Sequence, residues 1–155
     1  MQLSAGAGGD VTMELDRAAE AVVFAELDAQ ARRGEKFSVL SEEAGIRGFG
    51  SDYPLILVDP VDGSLNAKHG VPVFGLMLAA LDGPLLSDTF AGLVLNLNTG
   101  EEWKAIRKQG AWRAGKKLTA ASVAPPSDGI ELLGLESTPR ALKLAQVIAD
   151  RMETV

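Results

Sequence analysis

From residue 14 to residue 33, Leu15, Ala18, Ala19, Val22, Val23 and Leu27 recur at three- and four-residue steps, the period of one helix face. Asp10 or Thr12 is placed to cap this helix, and Gly34 to stop it. Residues 4–12, SAGAGGDVT, are small and read as a loop. Beyond the helix the period shortens. KFSVLSEEAG (36–45) reads as a short strand that runs into acids, and PLILVDP (54–60) as a central strand covered on both faces. VPVFGLMLAAL (71–81), a turn at 82–84, and AGLVLNLNTG (91–100) continue as consecutive strands. Residues 101–112 alternate and then turn, Gly110 and Gly115 punctuate, and 114–117 turn again. The segment 124–129 is a loop and 130–137 a further strand; Thr138-Pro139 opens a last helix that meets no stop signal. Helix, mostly antiparallel strands, then helix predicts a layered α+β arrangement.

Composition narrows the chemistry. At 155 residues, 46% hydrophobic and 23% charged, the chain is long enough to bury a core without staples. It has no cysteine, which excludes disulfides, thiol catalysis and zinc–cysteine sites and suits a reducing cytoplasm. A net charge of −6 disfavours nucleic acid and anionic membranes, and it disfavours phosphate esters unless cations reverse the sign locally. The start, MQLSAGAGGD, lacks the basic and apolar runs of a signal peptide. A loop at one end and an unterminated helix at the other suggest a piece of a longer protein.

One stretch concentrates candidate chemistry: LILVDPVDGSLN, residues 55–66. Pro60 fixes a backbone angle and Gly63 tolerates a positive φ, so the chain bends sharply after the strand. Asp59 and Asp62 then face one point, with the Val61 carbonyl between them. Hard oxygen donors clustered this way suit Mg²⁺ or Mn²⁺, which also offsets the repulsion between the acids. If GSLNAK starts a short helix, the amides of Gly63 and Ser64 point outward as an anion site. Glu42 and Glu43 join the acids if strands 37–41 and 55–59 are neighbours. D-P and D-G are also common turn pairs, so a plain turn stands at even odds with a metal site on these residues alone. An EF-hand calcium loop fails, because the twelfth position from Asp59 is Gly70 and not glutamate.

VDPVDGSLN resembles the D-P-[IV]-D-G-[ST]-x-N signature of the inositol monophosphatase family. LSEEAG resembles the upstream E-E element, and GGDVTMELDRAAE the one before it. NAKHGVPVF and EWKAIRKQGAWRAGKKL resemble later segments of the same family, so five elements in order cover roughly residues 9–118. The combination is most similar to the archaeal-type branch, in which inositol monophosphatase and fructose-1,6-bisphosphatase activities share a site. The resemblance implies a layered α/β sandwich of the sugar-phosphatase type, incomplete at both ends, with residues 1–155 forming its N-terminal metal- and phosphate-binding part and the substrate half absent. It implies a Mg²⁺-dependent, lithium-sensitive, cytoplasmic hydrolase of a small phosphorylated polyol or sugar, and a homodimer. By the same resemblance, Glu42, Asp59 and the Val61 carbonyl hold a first metal, and Asp59 and Asp62 a second. Gly63 and Ser64 amides receive the phosphate, while Asp16 and the Ser64 hydroxyl orient the attacking water.

The family's downstream W-D element has no match: Trp103 precedes Lys104 and Trp112 precedes Arg113. Two alternatives therefore accompany the phosphatase: a catalytically incomplete fragment that only binds metal, and a relative acting on adenosine 3′,5′-bisphosphate. Glu43 is expected beside the site or solvated. Lys68 and Lys104 read as solvated, Trp103 and Trp112 as packing residues, and His69, the single histidine, as structural.

Overall fold

The computed structural model describes residues 2–5 and 11–119. Strand β1 (Gln2–Ala5) pairs antiparallel with β2 (Val11–Met13). This corrects the loop expected over 4–12: Ser4 faces Thr12 and Ala5 faces Val11 across a ladder. Small residues carry little strand signal of their own, and a partner strand decides their conformation. Met13, not a capping residue, precedes helix α1 (Glu14–Arg32). Thr12 lies in β2, and Asp10 falls outside the described residues. Gly34, at φ 97°, ends the helix as its sequence position suggested.

The buried face of α1 is rotated from the apolar stripe read in the sequence. Leu15, Ala18 and Val22 are exposed, and Val22 is 71% accessible. Phe24, with Val23, Leu27 and Ala31 around it, packs instead on Phe37, Val39, Ile56, Val58, Leu76 and Leu78 of the sheet. Phe24 is the largest side chain on the helix and wins the inward position, since burying such a ring is worth about 2–3 kcal/mol. Arg47 closes this contact from the side: it pairs with Asp28 at 2.7 Å and lies over the rings of Phe24 and Phe49 at 5.3 and 4.7 Å.

The sheet has seven strands in the order β3-β4-β5-β6-β7-β8-β9. These are β3 (Phe37–Ser41), β4 (Gly45–Asp62), β5 (Gly75–Leu81), β6 (Thr89–Asn96), β7 (Glu102–Ile106), β8 (Gly110–Arg113) and β9 (Lys116–Lys117). β4 meets β3 twice. Its first arm runs antiparallel (Ser41↔Gly45, Phe37↔Phe49), and its second arm returns parallel (Ser38↔Leu55, Ser41↔Val58). Every later pairing is antiparallel.

β5 begins at Gly75 rather than at residue 71. The Val71 amide donates to the Asn66 carbonyl at 2.9 Å, and the Asn66 side chain donates to the Val73 carbonyl at 2.8 Å, so residues 71–73 are tied to a short helix over Ser64–Lys68 instead of the sheet. The second arm of β4 is central, but it is not covered equally on both faces. α1 packs on one side, while Leu40, Met77 and Val94 on the other are 40%, 37% and 38% accessible. The loop, strand and helix expected after residue 123 lie outside the described residues. Helix α1 with a mostly antiparallel sheet gives the α+β fold that the sequence pattern predicts. Among the described residues, no helix is long and apolar enough to cross a membrane.

Candidate functional site

The parallel pairing of β3 with the second arm of β4 brings two strand ends out side by side. Ser41 is opposite Val58, and the Glu42 amide donates to the Val58 carbonyl at 3.1 Å. The next side chains outward are Glu42 and Asp59, near enough for Glu42 to act on the Asp59 carboxyl. The condition under which these acids meet, neighbouring strands 37–41 and 55–59, is therefore fulfilled.

After Asp59 the ladder to β5 slips. Asp59 pairs with Met77 and Asp62 with Gly75, so one extra residue bulges on β4. Pro60, which has no amide to donate, sits in this bulge and is fully buried. The bulge delivers Asp62 to the same neighbourhood, where its charge acts on Asp59. Gly63 follows at φ 84°, and a Cβ there would fall 2.9 Å from the Val73 carbonyl oxygen. Both the backbone angle and the close approach require glycine. The short helix α2 (Ser64–Lys68) starts immediately, with no side chain capping its first turn. Asp16, on the first turn of α1, is only 5% accessible and also acts on Asp59.

Electrostatics single out Asp59. Burial pushes its carboxyl above the ordinary value, and the nearby Asp62 charge adds to the push. Hydrogen bonds from Glu42 and the Val61 backbone pull the other way, and Asp16 adds a smaller upward push. Asp59 Oδ1 is buried with no hydrogen-bond partner. A buried carboxylate oxygen left in this state is costly, unless a cation takes it.

The residues present fit a hard divalent ion with a largely aquated shell. Among the described residues, no three acidic or histidine side chains stand close enough to enclose an ion. Mg²⁺ is commonly held by one or two carboxylates, with waters and substrate oxygens completing its shell, so the Glu42–Asp59 pair with its orphaned oxygen suffices as a protein contribution.

A cavity of about 900 Å³ opens on the sheet face away from α1 and touches Glu42 and Asp59 only at one end. Leu40, Leu57, Met77, Val94 and Trp103 line most of it, a surface suited to apolar packing rather than to a phosphorylated polyol. Trp103 and Trp112 carry Arg113 and Lys117 over their rings, each at 5.5 Å, and act as packing residues. Lys104 is exposed and pairs with Glu102 at 3.2 Å. His69 is exposed and ends α2 through its backbone, while Lys68 is exposed in the last turn. Glu43 is half-buried beside Glu42.

Sequence reasoning passed over Glu20. Its Oε1 accepts hydrogen bonds from Ser41 Oγ and from the Ala44 amide, and so ties α1 to the turn that carries Glu42. The available signal was its spacing: Glu20 stands four residues after Asp16 and therefore on the same helix face.

Known proteins resemble this chain in sequence and in fold. The model of the inositol monophosphatase family matches residues 3–154. The fructose-1,6-bisphosphatase/inositol-1-monophosphatase of Archaeoglobus fulgidus is 36% identical over 113 residues, covering 73% of this chain and 42% of that protein. The inositol-1-monophosphatase of Mesorhizobium japonicum is 34% identical over 122 residues, covering 78% and 43%. The chain thus spans less than half the length of these curated relatives. Among solved structures, the extragenic suppressor protein suhB of Bartonella henselae superposes with a TM-score of 0.73 at 27% identity, over 98% of this chain and 58% of that one.

Proposed function

Since the chain belongs to the inositol monophosphatase family, we propose that it is the metal- and phosphate-binding part of a Mg²⁺-dependent phosphate monoester hydrolase acting on inositol monophosphate, fructose 1,6-bisphosphate or both. Glu42, Asp59 and the Val61 carbonyl would hold one cation, and Asp59 with Asp62 a second. A divalent cation bound there would supply Lewis acidity and lower the pKa of its bound water. The Gly63 and Ser64 amides receive the phosphate oxygens at the start of α2. Asp16 and the Ser64 hydroxyl accept hydrogen bonds from the attacking water and orient it toward phosphorus. Half-burial of Asp59 limits competing water and strengthens each of these interactions.

What carries this reading is the juxtaposition of Glu42 and Asp59 on neighbouring strand ends, with Asp59 Oδ1 buried and unpartnered. Its test is phosphate release from inositol 1-phosphate and from fructose 1,6-bisphosphate during a Mg²⁺ titration. Release that depends on Mg²⁺, and that Asp62→Asn reduces at least about 100-fold, supports the assignment. Release that is independent of Mg²⁺ or insensitive to Asp62→Asn contradicts it. A second reading, metal binding without turnover, is favoured by the lack of a third clustered carboxylate among the described residues. Mg²⁺ binding without any phosphate release would select it.

A further inference from the structure

Glu20 lies one helical turn after Asp16 on α1, yet no role in the site follows from its position alone. Its contacts give it one. Glu20 Oε1 accepts from Ser41 Oγ, on the last residue of β3, and from the Ala44 amide at 3.0 Å. These two donors flank Glu42 and Glu43 in the chain. Ser41 is 1% accessible, so its hydroxyl has no recourse to water if Glu20 is lost. On its other side, the segment is held by the Glu42 amide on the Val58 carbonyl at 3.1 Å. The turn that presents Glu42 is thus closed by the Ser41–Gly45 pairing, fixed to the second arm of β4 through the Glu42 amide, and tied to α1 by two hydrogen bonds that both end on a single carboxylate oxygen.

We propose that Glu20 is a positioning residue for the divalent cation site: it clamps the 42–44 turn to α1 and so holds the Glu42 carboxylate against Asp59. This rests on the reading of Glu42 and Asp59 as cation ligands. The physical reason for an acid here is the strength of the two hydrogen bonds it accepts. One ionised oxygen accepts two hydrogen bonds, and each is stronger than its neutral counterpart. Without the clamp, the three-residue turn that carries Glu42 is held only where it leaves and re-enters the sheet, at Ser41 and Gly45, and by the Glu42 amide. The cation must then order that turn on binding, and affinity falls by the ordering cost. A merely structural role is distinguishable. It would lower the unfolding temperature of Glu20→Ala and leave the affinity of the folded chain untouched.

The experiment is a Mn²⁺ titration of the full chain, followed by the electron paramagnetic resonance signal of the free ion, well below the unfolding temperature of every variant used. Glu20→Ala is expected to weaken Mn²⁺ at least about 10-fold. Glu20→Gln keeps a carbonyl acceptor in place and is expected to stay within about threefold of the wild type. Ser41→Ala removes one donor and falls between them, and Glu20→Ala combined with Ser41→Ala is no weaker than Glu20→Ala alone. Wild-type affinity in folded Glu20→Ala, while Asp59→Asn has lost the ion, overturns the positioning role and leaves the site standing. Undiminished binding in Asp59→Asn removes the site itself, and this inference with it. Should Glu20→Ala fail to fold, Ser41→Ala decides: weakened Mn²⁺ supports the clamp, and unchanged Mn²⁺ overturns it.

Discussion

Asp59 is expected to behave as a residue that harms the metal-free fold. Its carboxyl titrates above the ordinary 3.8 because of burial and the Asp62 charge, so the folded chain holds that proton more tightly than the unfolded chain does. The resulting stabilisation is present at low pH and is lost as pH rises through the folded value. Without metal, Asp59→Asn should therefore melt at a higher temperature than the wild type, and the gap should widen from about pH 4 to about pH 7. Adding Mg²⁺ should reverse the order. The wild type gains ~2.7 kcal/mol at a hundred times its Kd, and the variant, which binds more weakly, gains less. Differential scanning calorimetry with and without Mg²⁺ measures both effects; a variant that is less stable in the absence of metal contradicts the first. Gly63 gives a second residue-level outcome. Alanine there must hold φ near 84° and meet the Val73 carbonyl at 2.9 Å, so Gly63→Ala should cost at least about 1–2 kcal/mol in urea unfolding. A change within experimental error would show that the turn relaxes freely.

At the level of elements, the central device is one strand used twice. β4 first folds back on β3 and then runs beside it, and only the second pass sets Glu42 next to Asp59. The helix packed over this crossing depends on Phe24, and Phe24→Ala should cost about 3–5 kcal/mol in denaturant unfolding. A loss below about 1 kcal/mol would mean that α1 is not the cover of this core. The elements themselves were largely legible. An apolar run, a proline and a glycine located the second arm, the bend and the start of α2, because each acts through local backbone sterics. The helix face was legible only in part: Val23 and Leu27 of the expected stripe do pack on the core, but Leu15 and Val22 matched the period as well as Phe24 did, and only contact with Phe37 and Val39 separates them. The pairing of β1 with β2 was hidden for a related reason: Ser4 and Ala5 have weak preferences that a neighbouring strand overrides. Glu20 escaped because its partners, Ser41 and Ala44, are distant in sequence.

At the scale of the molecule, the candidate site draws its acids from separate elements. Glu42, Asp59, Asp62 and Asp16 come from two strand ends, a bulge and a helix start, so no single segment carries the site. Such an arrangement forms only when the sheet is registered correctly, which couples cation binding to folding. The motif-bearing residues were readable as a set in the sequence, while their convergence required the parallel pass of β4 to be seen. If Glu42 and Asp59 hold one ion, their contributions to its affinity cannot be independent. A double-mutant cycle on Mg²⁺ affinity, by isothermal titration calorimetry of the wild type, Glu42→Gln, Asp59→Asn and the combined variant, tests this most directly. Shared ligation predicts that each single change weakens Mg²⁺ at least about 10-fold and that the second adds little to the first. Fully additive losses, or single variants that bind as the wild type does, would contradict it.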